Sequence, residues 1–195
     1  MDPKKRIEII QSWISTYVNE MPKKAQSLVV GVSGGIDSAV VSTISAMTGI
    51  KTIVLSMPIK QIKDQDDLSK LHCNWLQKNF KNTEYLNINL DETFSKFEDA
   101  LGKNDNEHAF ANSRARLRMT TLYQVAGSNH GIVVGTGNKV EDFGVGFYTK
   151  YGDGGVDISP IADCTKTQVW EMGRYLKIDQ KIIDAPPTDG LWVDG

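Results

Sequence analysis

A chain of 195 residues with 40% apolar and 24% charged side chains is long enough to bury one substantial core, so a single domain is the natural count. A net charge of −2 gives no strong field to draw it to nucleic acid, and Cys73 and Cys164 stand too far apart to suggest a Cys-x-x-C zinc site or a disulfide framework. Lys4, Lys5 and Arg6 precede an amphipathic run instead of an apolar core, and no apolar stretch reaches membrane-spanning length, so the expectation is a soluble cytoplasmic protein without membrane or nucleic-acid partners.

Ile7, Ile10, Ile14, Tyr17 and Val18 recur at helical spacing and predict an amphipathic first helix, ended by Pro22. Residues 28–32 form a continuous apolar run, as expected of a parallel strand covered on both faces. The run leads into Gly31-Val32-Ser33-Gly34-Gly35-Ile36-Asp37-Ser38, which reads as strand, tight turn and helix start. Adjacent glycines let a ligand approach the main chain, and free N–H groups at a helix start attract anions, phosphate above all. Ser33 and Ser38 add hydroxyl donors. Asp37 would repel a phosphate by itself; it makes sense as a ligand of a magnesium ion that the phosphates also touch. The stretch is not a Walker A loop, because no lysine precedes Ser38.

A helix from Asp37 is expected to stop near Gly49. Residues 52–55 predict the second strand, closed by Pro58; residues 59–67 read as a polar loop, followed by a helix carrying Leu68, Leu71, Trp75 and Leu76. Residues 85–90 alternate into a third strand. This order predicts an α/β fold: a doubly wound, mainly parallel sheet with helices on both faces and ligands at the strands' carboxyl ends. Two helices follow, over 91–101 and 107–127. The second holds Arg114, Arg116 and Arg118; Arg114 and Arg118 share a face, and the trio reads either as a solvated basic face or as anion contacts.

Residues 132–134 predict a fourth strand, running into Gly135-Thr136-Gly137-Asn138-Lys139. Residues 141–157 lack apolar periodicity and mix glycines with Glu141, Lys150, Asp153 and Asp157, which suggests a mobile binding loop more than a bare linker. Residues 158–161 read as a short fifth strand. Thr165 with Gln168 is a capping-box signature for a helix through Leu176, and Lys166 in its first turn opposes the helix dipole, which favours a functional role. Residues 185–190 read as a rigid turn.

The Ser33-Gly34-Gly35-Ile36-Asp37-Ser38 string resembles the pyrophosphate-binding loop of the ATP pyrophosphatases. With Asn112–Met119, Gly135–Glu141 and Phe147–Gly155 added, the chain resembles ammonia-dependent NAD synthetase over nearly its whole length. The resemblance implies a five-stranded, adenine nucleotide alpha hydrolase-like sheet in one ATP-pyrophosphatase-type domain over 1–195. It implies ATP contacts at Gly31, Ser33, Gly34, Gly35, Ile36, Asp37, Ser38, Gln61, Thr136, Lys166 and Thr188. Magnesium would be held by Asp37 and Glu141, and deamido-NAD by Arg116, Lys150 and Asp157. Asp37, Glu141, Lys166 and Asp153 are the implied catalytic set. The implied reaction joins deamido-NAD and ammonia at the expense of ATP, in a homodimer. No separate glutaminase domain fits in the chain, so free ammonia is the expected nitrogen donor.

Two departures stand out. Where the family often has an arginine before the Leu-Pro after strand two, this chain has Ser56 before Met57-Pro58, which leaves Lys60 or Gln61 for the adenine side. Family members usually continue past Asp189 with an acidic loop and a late His-Lys pair, so a segment of the family pattern is expected to be lacking here. Alternatives that keep the loop are a tRNA-modifying ATP pyrophosphatase, disfavoured by the net negative charge, and a nucleotide-binding module without catalysis.

Overall fold

The computed structural model describes residues 1–60, 63–104 and 106–185, with the backbone alone at 63–65. Helix α1 (Pro3–Glu20) starts with Asp2 accepting from the Lys4 N–H and Pro3 at its first turn, and stops just before Pro22. Ile7, Ile10, Ile14 and Val18 are its buried stripe; Tyr17, expected on that stripe, lies on the outer face beside Trp13. Strands β1 (Ser27–Gly31), β2 (Lys51–Ser56), β3 (Thr83–Asn87) and β4 (Gly131–Val133) form a sheet in the order β3-β2-β1-β4, and every pairing is parallel. Helices α2 (Ile36–Met47), α3 (Lys63–Asn79), α4 (Asp91–Leu101) and α5 (Glu107–Ser128) fill the crossovers. After β4 come a π-helix (Lys139–Val145), α6 (Lys166–Tyr175) and the short α7 (Gln180–Ile183).

Side-chain alternation along β1 splits the apolar residues between two cores. Leu28 and Val30 join Ile7, Ile14, Ile44 and Met172 on one face, while Val29 joins Ile53, Leu55, Phe94 and Phe110 on the other. Helices therefore cover both faces, as a parallel sheet requires.

Three expectations need correction. Among the described residues the sheet has four strands, not five: beyond β4 a single parallel bridge joins Val134 to Ile158, after which Pro160 offers no N–H and residues 160–163 turn. Part of the stretch read as a polar loop is helical, because α3 begins at Lys63, and its early residues are marked by charge, with Asp66 and Lys70 paired at 2.5 Å. The stretch read as a mobile loop opens with the π-helix, and turns follow at residues 150–154.

Strand order reverses between β1 and β4. The chain leaves β1 toward β2 and later returns to β4 on β1's other side. Parallel sheets open a crevice at such a switch point, outside the carboxyl ends of the two strands. The segments that emerge there are 32–38 after β1 and 134–141 after β4.

Candidate active site

The turn after β1 is built to leave main-chain donors unpaired. Gly34 sits at φ +95°, a conformation that L side chains rarely adopt, and Gly35 caps α2 without any side-chain hydrogen bond. The first helical bond is from the Ala39 N–H to the Gly35 carbonyl. Among the described residues no acceptor takes the N–H groups of Gly34, Ile36, Asp37 or Ser38. The serines brace the turn from within: Ser38 Oγ donates to the Gly35 carbonyl at 2.9 Å and accepts from the Ser33 N–H at 3.2 Å, and Ser33 Oγ accepts from the Gly35 N–H at 3.3 Å. From α3, Ser69 Oγ donates to the Val32 carbonyl at 2.6 Å and pins the strand end. A row of unspent N–H groups on a helix start is the arrangement that attracts anions, phosphate above all, and forms a candidate phosphate cradle.

Facing this cradle is a charged network drawn from three distant parts of the chain. The Lys166 ammonium lies 2.5 Å from Asp37 Oδ2 and 2.9 Å from Glu141 Oε1. Buried Asn138 donates from Nδ2 to the same two residues, at 3.1 Å to Asp37 Oδ1 and 2.6 Å to Glu141 Oε2. Its Oδ1 in turn accepts from the N–H groups of Val140 and Glu141 and caps the π-helix. Asn138 was not among the expected site residues. Asparagine is a favoured cap, and its place in the Gly135–Glu141 string at the end of the fourth strand was a second sequence signal for it.

The network is short of positive charge. Burial pushes the Asp37 carboxyl up, the Lys166 ammonium pulls it down, and the Glu141 charge adds to the burial. Burial works against the charged form of Lys166, but Asp37 and Glu141 together hold its ammonium above the ordinary lysine value. Asp142 is pushed up to about 6, first by burial and then by Asp153, Glu141 and Asp37. Its carboxylate lies against Gly137, at a place that a side chain on residue 137 would fill. Among the described residues no group of three His, Cys, Asp or Glu side chains is arranged as a metal cluster. Asp37 and Glu141 are nonetheless two oxygen donors held together by one amide, the donor chemistry that suits magnesium shared with substrate phosphates.

The other expected site residues fall into separate settings. Arg116 is exposed and its Nε donates to the Lys150 carbonyl at 3.2 Å, so these two expected dinucleotide contacts are neighbours; the Lys150 ammonium rests over the Tyr151 ring. Asp157 is tied into the scaffold: its carboxylate accepts from the Val133 N–H at 2.7 Å and from the Tyr123 hydroxyl at 3.0 Å. Asp153 accepts from the Thr149 N–H and holds the glycine turn. Thr136 is half-buried directly after the β4 side of the crevice. The Lys60 ammonium is paired with Glu98, and Ser56 is buried between the Tyr85 hydroxyl and Asn87. Gln61, Thr188 and the turn expected from 186 onward lie outside the described residues.

The three arginines of α5 divide. Arg114 is buried, pairs with Glu107 at 2.7 Å and lies over the Phe94 ring, so it is neither a solvated cation nor a surface anion contact. Arg118 reaches the other way and donates from Nε to the Met57 carbonyl at 3.0 Å.

A phosphate cradle opposed by a carboxylate–amide–ammonium network, at the switch point of a parallel sheet, defines a nucleotide-binding α/β protein. The family model described as NAD synthase matches residues 6–195. The NH(3)-dependent NAD(+) synthetase of Carboxydothermus hydrogenoformans is 40% identical over 193 residues, covering 96% of this chain and 76% of that protein. Its counterpart from Alkaliphilus metalliredigens is 39% identical over 198 residues, covering 96% and 77%. Among solved structures, NMN synthetase from Francisella tularensis superposes with a TM-score of 0.90 at 34% identity, covering 98% of this chain and 78% of that one. NH3-dependent NAD synthetase from Campylobacter jejuni gives 0.83 at 30% identity, covering 94% and 77%. The chain belongs to the NAD synthase family.

Proposed function

We propose that this chain is an ammonia-dependent NAD synthetase, a ligase that converts deamido-NAD, ATP and ammonia to NAD, AMP and pyrophosphate. The observation that carries the reading is the opposition of the Ser33–Ser38 cradle to the Asp37–Asn138–Glu141–Lys166 network. A carboxylate resists attack by ammonia because its leaving group would be oxide. When one carboxylate oxygen attacks the α-phosphorus of ATP, the bond to the β-phosphate breaks and pyrophosphate leaves with its electron pair. Ammonia then attacks the acyl carbon, AMP leaves, and one proton is released.

No side-chain nucleophile is needed. The chain's task is to hold the reactants in line and to stabilise the charge that develops. The N–H groups of Gly34, Ile36, Asp37 and Ser38 meet the phosphates, and the Lys166 ammonium faces the departing pyrophosphate. Asp37 and Glu141 would hold magnesium, which supplies neutralisation of the leaving group when bound. Asn138 keeps both carboxylates aimed at one point. Arg116 and Lys150 meet the dinucleotide, with Thr136 on the ATP side. Asp157 and Asp153 act by fixing β4 and the glycine turn beneath it. We place all of this in one ATP-pyrophosphatase-type domain over 1–195, in a cytoplasmic homodimer. Exposed Phe143, Val145, Phe147 and Tyr148 give the loop an apolar surface for a second subunit or a nucleotide base to cover. Among the described residues no helix is long and apolar enough to cross a membrane.

A second reading keeps the chemistry and changes the substrate. Since the Francisella tularensis neighbour is an NMN synthetase, nicotinate mononucleotide is the natural competitor for the pyridine site. The test is one assay with both acceptors, each given with ATP, magnesium and ammonium, scoring amide, AMP and pyrophosphate. Equimolar amide, AMP and pyrophosphate from deamido-NAD supports the first reading. Turnover confined to the mononucleotide supports the second, and none with either acceptor rejects both.

A further inference from the structure

We infer that Arg118 is a phosphate-binding residue, receiving a phosphate of one of the two bound nucleotides at the carboxyl end of β2. This rests on the ligase reading and adds a contact that the expected site did not include.

The guanidinium offers five N–H groups in a rigid fork. Among the described residues Arg118 makes one bond, from Nε to the Met57 carbonyl, and no ion pair. Nη2 is sealed from solvent and has no hydrogen-bond partner among the described residues. An unpaired buried donor on a cation is costly in a finished structure and is expected where a partner arrives with a ligand. The neighbouring acids are already engaged. Asp91 accepts from the Lys60 and Asn89 N–H groups, and Asp153 from the Thr149 N–H, so each acts on Arg118 only from a distance. Burial and the Arg114 charge push Arg118 down to about 10, which still leaves it cationic at neutral pH.

Met57 follows the last residue of β2, the strand directly beside β1, and Gly31 at the end of β1 packs against the Met57 side chain. The bond from Nε therefore anchors the guanidinium at the same edge of the sheet as the phosphate cradle. A planar fork with vacant N–H groups matches the paired oxygens of a phosphate.

The test uses Arg118→Met, which keeps the bulk and removes the charge, with ATP and deamido-NAD titrated separately by calorimetry. A purely structural guanidinium with so few partners is replaceable by an apolar side chain of similar volume without loss. We expect a melting temperature equal to or above that of the unaltered protein. One nucleotide should bind about tenfold more weakly or worse, and the other within about twofold, because one charge-assisted bond is lost. Which nucleotide suffers assigns the phosphate. Should Arg118→Met not fold, Arg118→Lys replaces it, with the same selective loss expected in smaller degree, and Arg118→Ala should regain affinity in millimolar guanidinium. Unaltered binding of both nucleotides, or equal loss of both, overturns the inference while leaving the ligase reading intact. An unaltered protein that binds neither nucleotide overturns both.

Discussion

Asp37 is the residue on which three influences meet: a helix start, a shared ammonium and an amide from 101 positions further along the chain. On the proposed reading its carboxylate serves charge and its backbone serves the cradle, so the two roles separate by substitution. Asp37→Asn keeps the side-chain shape and the N–H. We expect turnover to fall about a hundredfold or more, by analogy with the loss of one preorganised charge-stabilising group, while the urea midpoint moves little. Near-native turnover at saturating magnesium would remove Asp37 from the metal. Lys166→Met is the complementary change. It leaves Asp37 and Glu141 facing each other without their cation, at a position where Lys166 and Asp37 are less than one-fifth exposed. Removing one partner of such a pair costs roughly 3 kcal/mol. On the proposed reading a divalent ion would supply the missing charge, so the variant's melting temperature should rise with added magnesium more steeply than that of the unaltered protein. Parallel responses would mean that the ammonium and the metal do not share those carboxylates.

At the scale of elements, α2 and α6 must pack closely for Asp37 and Lys166 to meet. Gly173 provides the approach: a Cβ there would come within 2.6 Å of Ile36 Cδ1, one residue before Asp37. Gly173→Ala gains roughly 1 kcal/mol of helix propensity and faces roughly 1–3 kcal/mol of overpacking against a buried side chain. We expect a small net loss of stability with a larger loss of ATP affinity, read by denaturation and by titration. Full affinity would show that the site tolerates a shift of α6. The same scale explains what the sequence disclosed. Strands β1, β2 and β4 were legible as apolar runs because both sheet faces are covered there, whereas the half-buried β3 was read from alternation over 85–90 and lies at Thr83–Asn87; Thr165 with Gln168 does form the capping box. The fifth strand failed because pairing ends after the Ile158 bridge, where Pro160 has no N–H to continue it. The π-helix buries none of its residues, so no apolar period marked it. Asn138 was missed because its role is to join residues far apart in sequence, which no local pattern records.

At the scale of the whole molecule, pH tests how the core is held. His72 of α3 is buried against α2, and its Nε2 donates to the Ala39 carbonyl at 3.1 Å, a bond that favours the charged ring but is outweighed by burial. Burial lowers it from 6.5 to about 4. The unfolded chain therefore binds a proton more readily than the folded one. Stability from this group is complete above pH 6.5 and is lost as pH falls toward 4, by roughly 3 kcal/mol over that window. Asp142, raised to about 6, acts in the opposite sense, and a variant isolates the histidine. His72→Gln should lose less stability than the unaltered protein between pH 7 and pH 4.5 in urea titrations. Curves that stay parallel would mean that His72 does not stay neutral in the fold.

On the proposed reading, ATP activates a pyridine carboxylate by transfer of its adenylyl group at the Ser33–Ser38 cradle. The most direct measurement uses deamido-NAD labelled with 18O in its carboxylate, ATP, magnesium and ammonium, with mass analysis of the phosphorus products. One carboxylate oxygen becomes the bridge to the α-phosphorus and stays with AMP when ammonia displaces it. We expect one 18O in each AMP and none in pyrophosphate. Unlabelled AMP beside the amide product, or ADP and phosphate in place of AMP and pyrophosphate, would contradict it.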